Sequence, residues 1–231
     1  MKLDVRKLAR MMDLSAVRTD VDVVEVRRLA EACKKHQCIC AFVMPCYMAE
    51  LKEMLRDEPE VRLGGVVGFP SGARTTTVKV AEVREHLSVG AAELDMVINV
   101  GWLRSARDED VENDIRRVVD AARGTPVKVI LEAHYLTDEQ IVRGCQIAAR
   151  AGAAFVKTGT GWAPTGATLH NVELMKSAVG DAVELKAAGG VRDMQTVAKM
   201  IRLGVTRFGA SLSSGTALLE QCAALAEGIE V

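Results

Sequence analysis

Two lysines close short apolar runs of the chain, Lys157 in FVKTGTGW (155–162) and Lys186 in VELKAAGG (183–190). Burying an unpaired ammonium is expensive, so each must find a carboxylate or give up its proton for chemistry. An ordinary lysine, with a pKa of about 10.4, offers a free amine in only about one molecule in 2,500 at pH 7. Desolvation and a neighbouring ammonium both disfavour the charged form and bring the value toward ~7 to 8, where the amine becomes a competent nucleophile. Two lysines aimed into one pocket therefore point to Schiff-base chemistry, with Lys157 as the amine. Interior salt bridges are the competing reading of the same charges.

Further charge sits in or beside other apolar runs: Asp13 in MDLS, Asp95 in ELDMV, and Lys128 and Glu132 around VKVILEA. Alternate residues of a strand face opposite sides. If Lys157 points inward so does Phe155, and if Lys186 does so does Glu184, which is then expected to pair with an interior cation. Val156, Val183 and Leu185 are left for an outer layer.

These residues need a scaffold that brings strand ends together. Eight apolar runs of strand length recur along the chain: Met12–Leu14, Ile39–Met44, Leu63–Phe69, Leu94–Val100, Val127–Leu131, Ala154–Thr158, Val183–Ala187 and Thr206–Ala210. Helical periodicity fills the intervals at Val21–His36, Tyr47–Arg56, Thr76–Val89, Val111–Ala122, Asp138–Arg150, Leu169–Val179 and Met194–Leu203, with Ser213–Glu227 after the last run. Thr137 before DEQ reads as a capping box, and Gly90, Gly152 and Gly204 stand just past helix ends. No linker or composition break divides the 231 residues. The pattern predicts an α/β protein, one (β/α)8 TIM barrel over 1–231 with a short N-terminal helix. An open doubly wound sheet is the alternative, but no GxGxxG follows an early strand.

In such a barrel the C-terminal strand ends form the working face, and phosphate commonly sits at the loops after strands seven and eight. Those loops read AAGGVR (187–192) and FGASLSSG (208–215). Small residues there let backbone amides and a helix N-terminus approach an anion. Composition excludes other classes: 30 basic against 31 acidic residues, without a like-charge block, argue against nucleic acid. The charged N-terminal stretch and the lack of a membrane-length apolar window predict a cytoplasmic protein without membrane association. Cys33, Cys38, Cys40, Cys46, Cys145 and Cys222 include no CxxC pair, so reduced thiols are expected rather than a metal site.

Taken together, MDLS, GFPSGA with TTTVK, ELDMVINVG, VKVILEA, FVKTGTGW, LKAAGGVR and FGAS resemble the deoxyribose-phosphate aldolase family, from about Met12 to Ser211. The resemblance implies a class I aldolase that cleaves 2-deoxy-D-ribose 5-phosphate reversibly to D-glyceraldehyde 3-phosphate and acetaldehyde, without cofactor or metal. It implies that Lys157 forms the Schiff base, Lys186 perturbs its pKa and Asp95 relays protons. Thr160, Gly161, Gly189, Gly190, Gly209 and Ser211 would contact substrate or its phosphate, Asp13 and Lys128 would line the pocket, and the chain would form a homo-oligomer, a dimer or tetramer. The chain departs from the family pattern at Phe42, Met44, Gly159, Ala133, His134, Glu184 and Leu212. His134 is read as a surface-loop residue, and Trp102 and Trp162 as pocket walls or interface anchors. A phosphate-binding barrel without turnover is the non-enzyme alternative, against which the intact Lys157, Lys186 and Asp95 argue.

Overall fold

The computed structural model describes residues 2–225 and 228–231. Eight parallel strands close a barrel: β1 (Met12–Ala16), β2 (Cys40–Val43), β3 (Arg62–Val67), β4 (Glu93–Val97), β5 (Val127–Ile130), β6 (Phe155–Lys157), β7 (Glu184–Ala188) and β8 (Val205–Ser211), with β8 paired back onto β1. Helices fill every interval between strands, and Leu212–Ala224 follows the last. All eight predicted runs and all eight predicted helices are present. Positions 226 and 227, the end of the predicted final helix, lie outside the described residues.

The boundaries moved for local reasons. The run predicted to extend to Val100 stops at Val97, because Asn99 caps a short helix, Val100–Arg104, by accepting a bond from the Trp102 amide at 3.1 Å. The helix predicted from Val111 begins at Asp108, where Asp108, Glu109 and Asp110 complement the positive end of its dipole. Pro45 opens a 3-10 turn, Pro45–Tyr47, so the helix behind it starts at Met48. The capping box forms as read, between Thr137 and Gln140. A short helix, Val5–Ala9, precedes β1, and a two-residue antiparallel pair, Lys2–Leu3 with Ile229–Glu230, lies outside the barrel.

Apolar residues fill the space between barrel and helices as one large cluster. Inside the barrel, Cys40, Phe42, Val66, Phe69, Val97 and Ile130 form an apolar patch. Phe155 also points inward, as its parity with Lys157 predicts, with its ring beside Lys128 and Arg207 of a charged layer. Strand register sets that layer, pairing Asp13 with Gly209, Asp95 with Lys128, Lys157 with Lys186, and Lys186 with Arg207.

A second buried ion pair props up β4 from outside. Lys79 and Asp114 are both about fully buried, their charges lie 2.6 Å apart, and Lys79 also donates to the Val97 carbonyl at 2.9 Å. Thr76 donates to the other carboxylate oxygen at 2.7 Å. Removing one member of such a pair strands a buried charge, whereas an apolar replacement of both is often tolerated. Asp114→Ala should lower the unfolding free energy by about 3–5 kcal/mol in urea titration. The double variant Lys79→Met/Asp114→Leu should recover most of that loss.

Candidate active site

Asp95 rises from the middle of β4 into the barrel, and one of its oxygens, Oδ2, meets two ammonium groups. Lys157 Nζ from the end of β6 and Lys186 Nζ from β7 both lie 2.6 Å from it. Lys186 Nζ is also 2.6 Å from Asp13 Oδ2 on β1. Lys157 has no second carboxylate partner among the described residues, and its side chain is the most exposed of the group at 9%.

Below this pair lies a second tier. Lys128 Nζ bonds Glu93, lies 3.2 Å from Asp95 Oδ1 and 3.6 Å from Asp13 Oδ2. Arg207 Nη1 bridges Asp13 Oδ1 at 2.7 Å and Glu93 Oε2 at 2.8 Å. Asp13, Cys40 and Glu93 converge within 4.8 Å, as a metal's ligands would. Here Lys128 and Arg207 supply the cations to both carboxylates of that set.

Charge balance singles out one amine. Four interior cations (Lys128, Lys157, Lys186 and Arg207) face three carboxylates (Asp13, Glu93 and Asp95), and the half-exposed Arg62 adds a fifth cation on Glu93. The cation with one partner and contact with the cavity is the one that yields its proton at least cost. Burial pushes the Lys157 amine down to about 8; Asp95 opposes that shift and the Lys186 charge reinforces it. Lys128 moves the other way, because Asp95, Asp13 and Glu93 outweigh its burial. Burial would raise Asp95, yet Lys157, Lys186 and Lys128 hold it well below the usual carboxylate range.

Above the lysines opens a cavity of about 360 Å³. Of the residues named from sequence, Asp13, Asp95, Lys157, Thr160, Gly161, Lys186, Gly189, Gly190, Gly209 and Ser211 line it. Lys128 does not. It is fully buried beneath the floor, drawn down by Glu93, so its expected place on the pocket wall is corrected. Thr160 lines the cavity with its polar groups already committed: its amide donates to Glu132 at 3.1 Å, its hydroxyl bonds the same carboxylate, and that hydroxyl accepts from the Trp162 amide at 3.0 Å. Gly159 leaves room for this clamp, since a Cβ there would stand 2.8 Å from Glu132 Oε1.

Gly209 has a role different from an anion-binding amide. An added Cβ would lie 3.0 Å from Ala188 Cβ and 3.1 Å from Lys186 Cε, so its bare backbone makes space for the Lys186 stem. Gly161, Gly189 and Gly190 have positive φ values of 85°, 83° and 85°, which favour glycine. Ser211 caps the helix Leu212–Ala224, and its Oγ lies 3.2 Å from Ser213 Oγ and 3.1 Å from Ser214 Oγ. These hydroxyls and a helix N-terminus sit at the cavity's far end.

Glu184 differs from expectation. It sits exposed at the start of β7 and accepts from Thr206 Oγ1 at 2.7 Å rather than pairing with an interior cation. Thr206 is the residue that a register shift leaves over between the pairs Leu185 with Val205 and Lys186 with Arg207. The interior carboxylate is instead Glu93, and both it and Arg207 escaped the sequence reading. Counting back two residues from Asp95 and from Gly209 would have found them. Trp162 walls the cavity, donating to the Val17 carbonyl at 3.2 Å, whereas Trp102 stacks under Arg107 elsewhere. His134 is exposed and bonds Thr165 Oγ1 at 2.6 Å.

A (β/α)8 barrel whose pocket floor holds a depressed lysine amine beside a shared carboxylate is a framework that an aldolase can use. The DeoC/LacD family aldolase model matches residues 2–222, and the chain belongs to that family. It is 45% identical to a deoxyribose-phosphate aldolase of Klebsiella pneumoniae subsp. pneumoniae, over 93% of this chain and 87% of that protein. It is 46% identical to one from Sinorhizobium medicae, over 95% and 89%. The tetrameric deoxyribose phosphate aldolase structure from Aeropyrum pernix superposes with a TM-score of 0.85 at 29% identity, covering 94% of this chain and 91% of that one.

Lys186→Leu tests the charge division. Without the second ammonium, Asp95 Oδ2 is left to Lys157, which should hold its proton more tightly. Turnover should fall at least ~100-fold, and the acid limb of the pH–rate profile should move to higher pH than in the parent. An unchanged profile would remove the role assigned to the pair.

Proposed function

We propose that this aldolase cleaves 2-deoxy-D-ribose 5-phosphate reversibly to D-glyceraldehyde 3-phosphate and acetaldehyde, with Lys157 as the Schiff-base amine. The observation that carries this reading is the single Asp95 oxygen shared at 2.6 Å by Lys157 and Lys186. Neutral Lys157 adds to the C1 carbonyl of the open-chain sugar, and loss of water gives an iminium. The C3 hydroxyl then loses its proton, the C2–C3 bond breaks and its electron pair enters the iminium to form an enamine. D-Glyceraldehyde 3-phosphate leaves, C2 takes up a proton, and water releases acetaldehyde and the free amine.

Each proton transfer needs a relay beside the nitrogen. Asp95 and Lys186 supply one, and their low-dielectric surroundings keep the shuttle short. Asp13 lines the same floor and can accept from a substrate hydroxyl. The phosphate would lie among the amides of Gly161, Gly189 and Gly190 and the hydroxyls of Ser211, Ser213 and Ser214. Leu212, which has no side-chain donor, begins the helix there, so its two serine neighbours replace what it lacks.

A cytoplasmic setting and a homo-oligomer of two or four chains are proposed alongside. The Aeropyrum pernix relative is tetrameric, and no helix among the described residues is long and apolar enough to cross a membrane.

Acetaldehyde with borohydride should add an ethyl group to the peptide carrying Lys157, found by mass spectrometry; a label confined to other lysines would overturn the assignment. The phosphorylated sugar should exceed unphosphorylated 2-deoxyribose in kcat/KM by at least about tenfold, or ~1.4 kcal/mol. Ser211→Ala should shrink that ratio while leaving the unphosphorylated sugar nearly unaffected. Equal rates on both sugars in the parent would direct the reading to neutral aldehydes.

A further inference from the structure

Phe42 stands inside the barrel on β2, 3% exposed, lining the cavity beside the lysines. Its ring centroid lies 4.6 Å from Lys186 Nζ and 5.0 Å from Lys128 Nζ. Both distances place an ammonium within range of the negative face of an aromatic ring. The room for that ring is made opposite, on β3. A Cβ on Gly64 would stand 2.3–2.6 Å from three Phe42 ring carbons, so the bare glycine and the large aromatic fit as a pair.

The two lysines that share Asp95 Oδ2 are therefore unequal. Lys186 has Asp13, Asp95 and the ring face; Lys157 has Asp95 alone among the described residues. We propose that Phe42 is a positioning residue that keeps the charge of the lysine pair on Lys186 and so leaves Lys157 the free amine. The inference rests on the reading of Lys157 as the Schiff-base nucleophile. It adds a non-ionic device to the charge balance: a fourth carboxylate would neutralise the surplus and hold both lysines protonated, whereas a ring favours one ammonium without contributing a negative charge.

The groups facing Lys186 fix the expected sign. Asp13 on β1 and Asp95 on β4 attract its charge, Glu93 on β4 is occupied by Lys128, Arg207 and Arg62, and Lys157 on β6, Lys128 on β5 and Arg207 on β8 repel it. Cys40 on β2 is held protonated, because burial pushes its thiol well above the ordinary range. Without the ring, the Lys186 side of the pair holds the shared charge less firmly, and an ammonium on Lys157 is opposed less. The Lys157 titration then moves up in pH.

The test reads the lysine and not turnover. In substrate-free protein, trace acetylation by acetic anhydride as a function of pH, followed by mass spectrometry of the Lys157 peptide, gives the amine's midpoint. Phe42→Leu, apolar and without a π face, should raise that midpoint by at least ~0.4 in pH. Phenylalanines carrying one, two and three ring fluorines at position 42, nearly constant in size but progressively poorer in face charge, should raise it in that order. The fluorinated series keeps the test sound if Phe42→Leu misfolds. In the parent, borohydride trapping of Lys157 with acetaldehyde reports the nucleophile separately. Trapping at Lys157 with one midpoint shared by the parent and every ring variant would overturn the role of Phe42 and spare the nucleophile. A parent midpoint near the ordinary lysine value would overturn both.

Discussion

Everything in this barrel depends on one carboxylate oxygen between two ammonium groups. Asp95 Oδ2 cannot fully compensate both lysines, and the remaining carboxylates are engaged with Lys128, Lys186 and Arg207. Buried charge that is incompletely paired is ordinarily a liability. Here the surplus lies at Lys157, the interior cation with a single carboxylate partner among the described residues, where deprotonation would relieve it. Reactivity and electrostatic strain are thus the same property seen at the same nitrogen.

The surrounding architecture holds that imbalance in place. Strand register sets Lys157 level with Lys186 and Lys186 level with Arg207. Two glycines do the steric part: Gly209 clears the path of the Lys186 stem and Gly64 the space for Phe42. Lys79, from the helix layer, grips the Val97 carbonyl two residues beyond Asp95 and steadies the strand that carries it. The loops are braced separately. Glu132 clamps Thr160, and the Ala167 amide donates to Gly189 O at 2.7 Å, tying the loop after β6 to the one after β7.

The barrel was legible in the sequence because each strand is a short apolar run bounded by helix caps and glycines, signals that depend only on neighbours in the chain. The lysines and Asp95 were legible because charge inside such a run is conspicuous. Glu93 and Arg207 stand where a strand has barely begun, and there charge looks like loop. Glu184 was misplaced for a deeper reason. Alternation along β7 is sound only if the partner strand keeps step, and Thr206 breaks step on β8. The resemblance implies ligand contacts at Gly209 and Thr160, and both line the cavity, but the space Gly209 leaves for Lys186 and the hold of Glu132 on Thr160 are further roles that it does not carry. Such roles appear only when distant segments are brought together.

The burial of the charged layer also divides the molecule's response to dissolved salt. Mobile ions screen over about 10 Å at 0.1 M, but only where they can enter, and Asp13, Lys128 and Lys186 have almost no surface open to water. The serine-rich helix end and the exposed Arg192 line the outer cavity, within reach of those ions. Ionic strength accordingly acts on how an anionic substrate is captured, while the balance of protons among the interior lysines stays insulated from it. A change of medium that weakens the first event leaves the second nearly as it was.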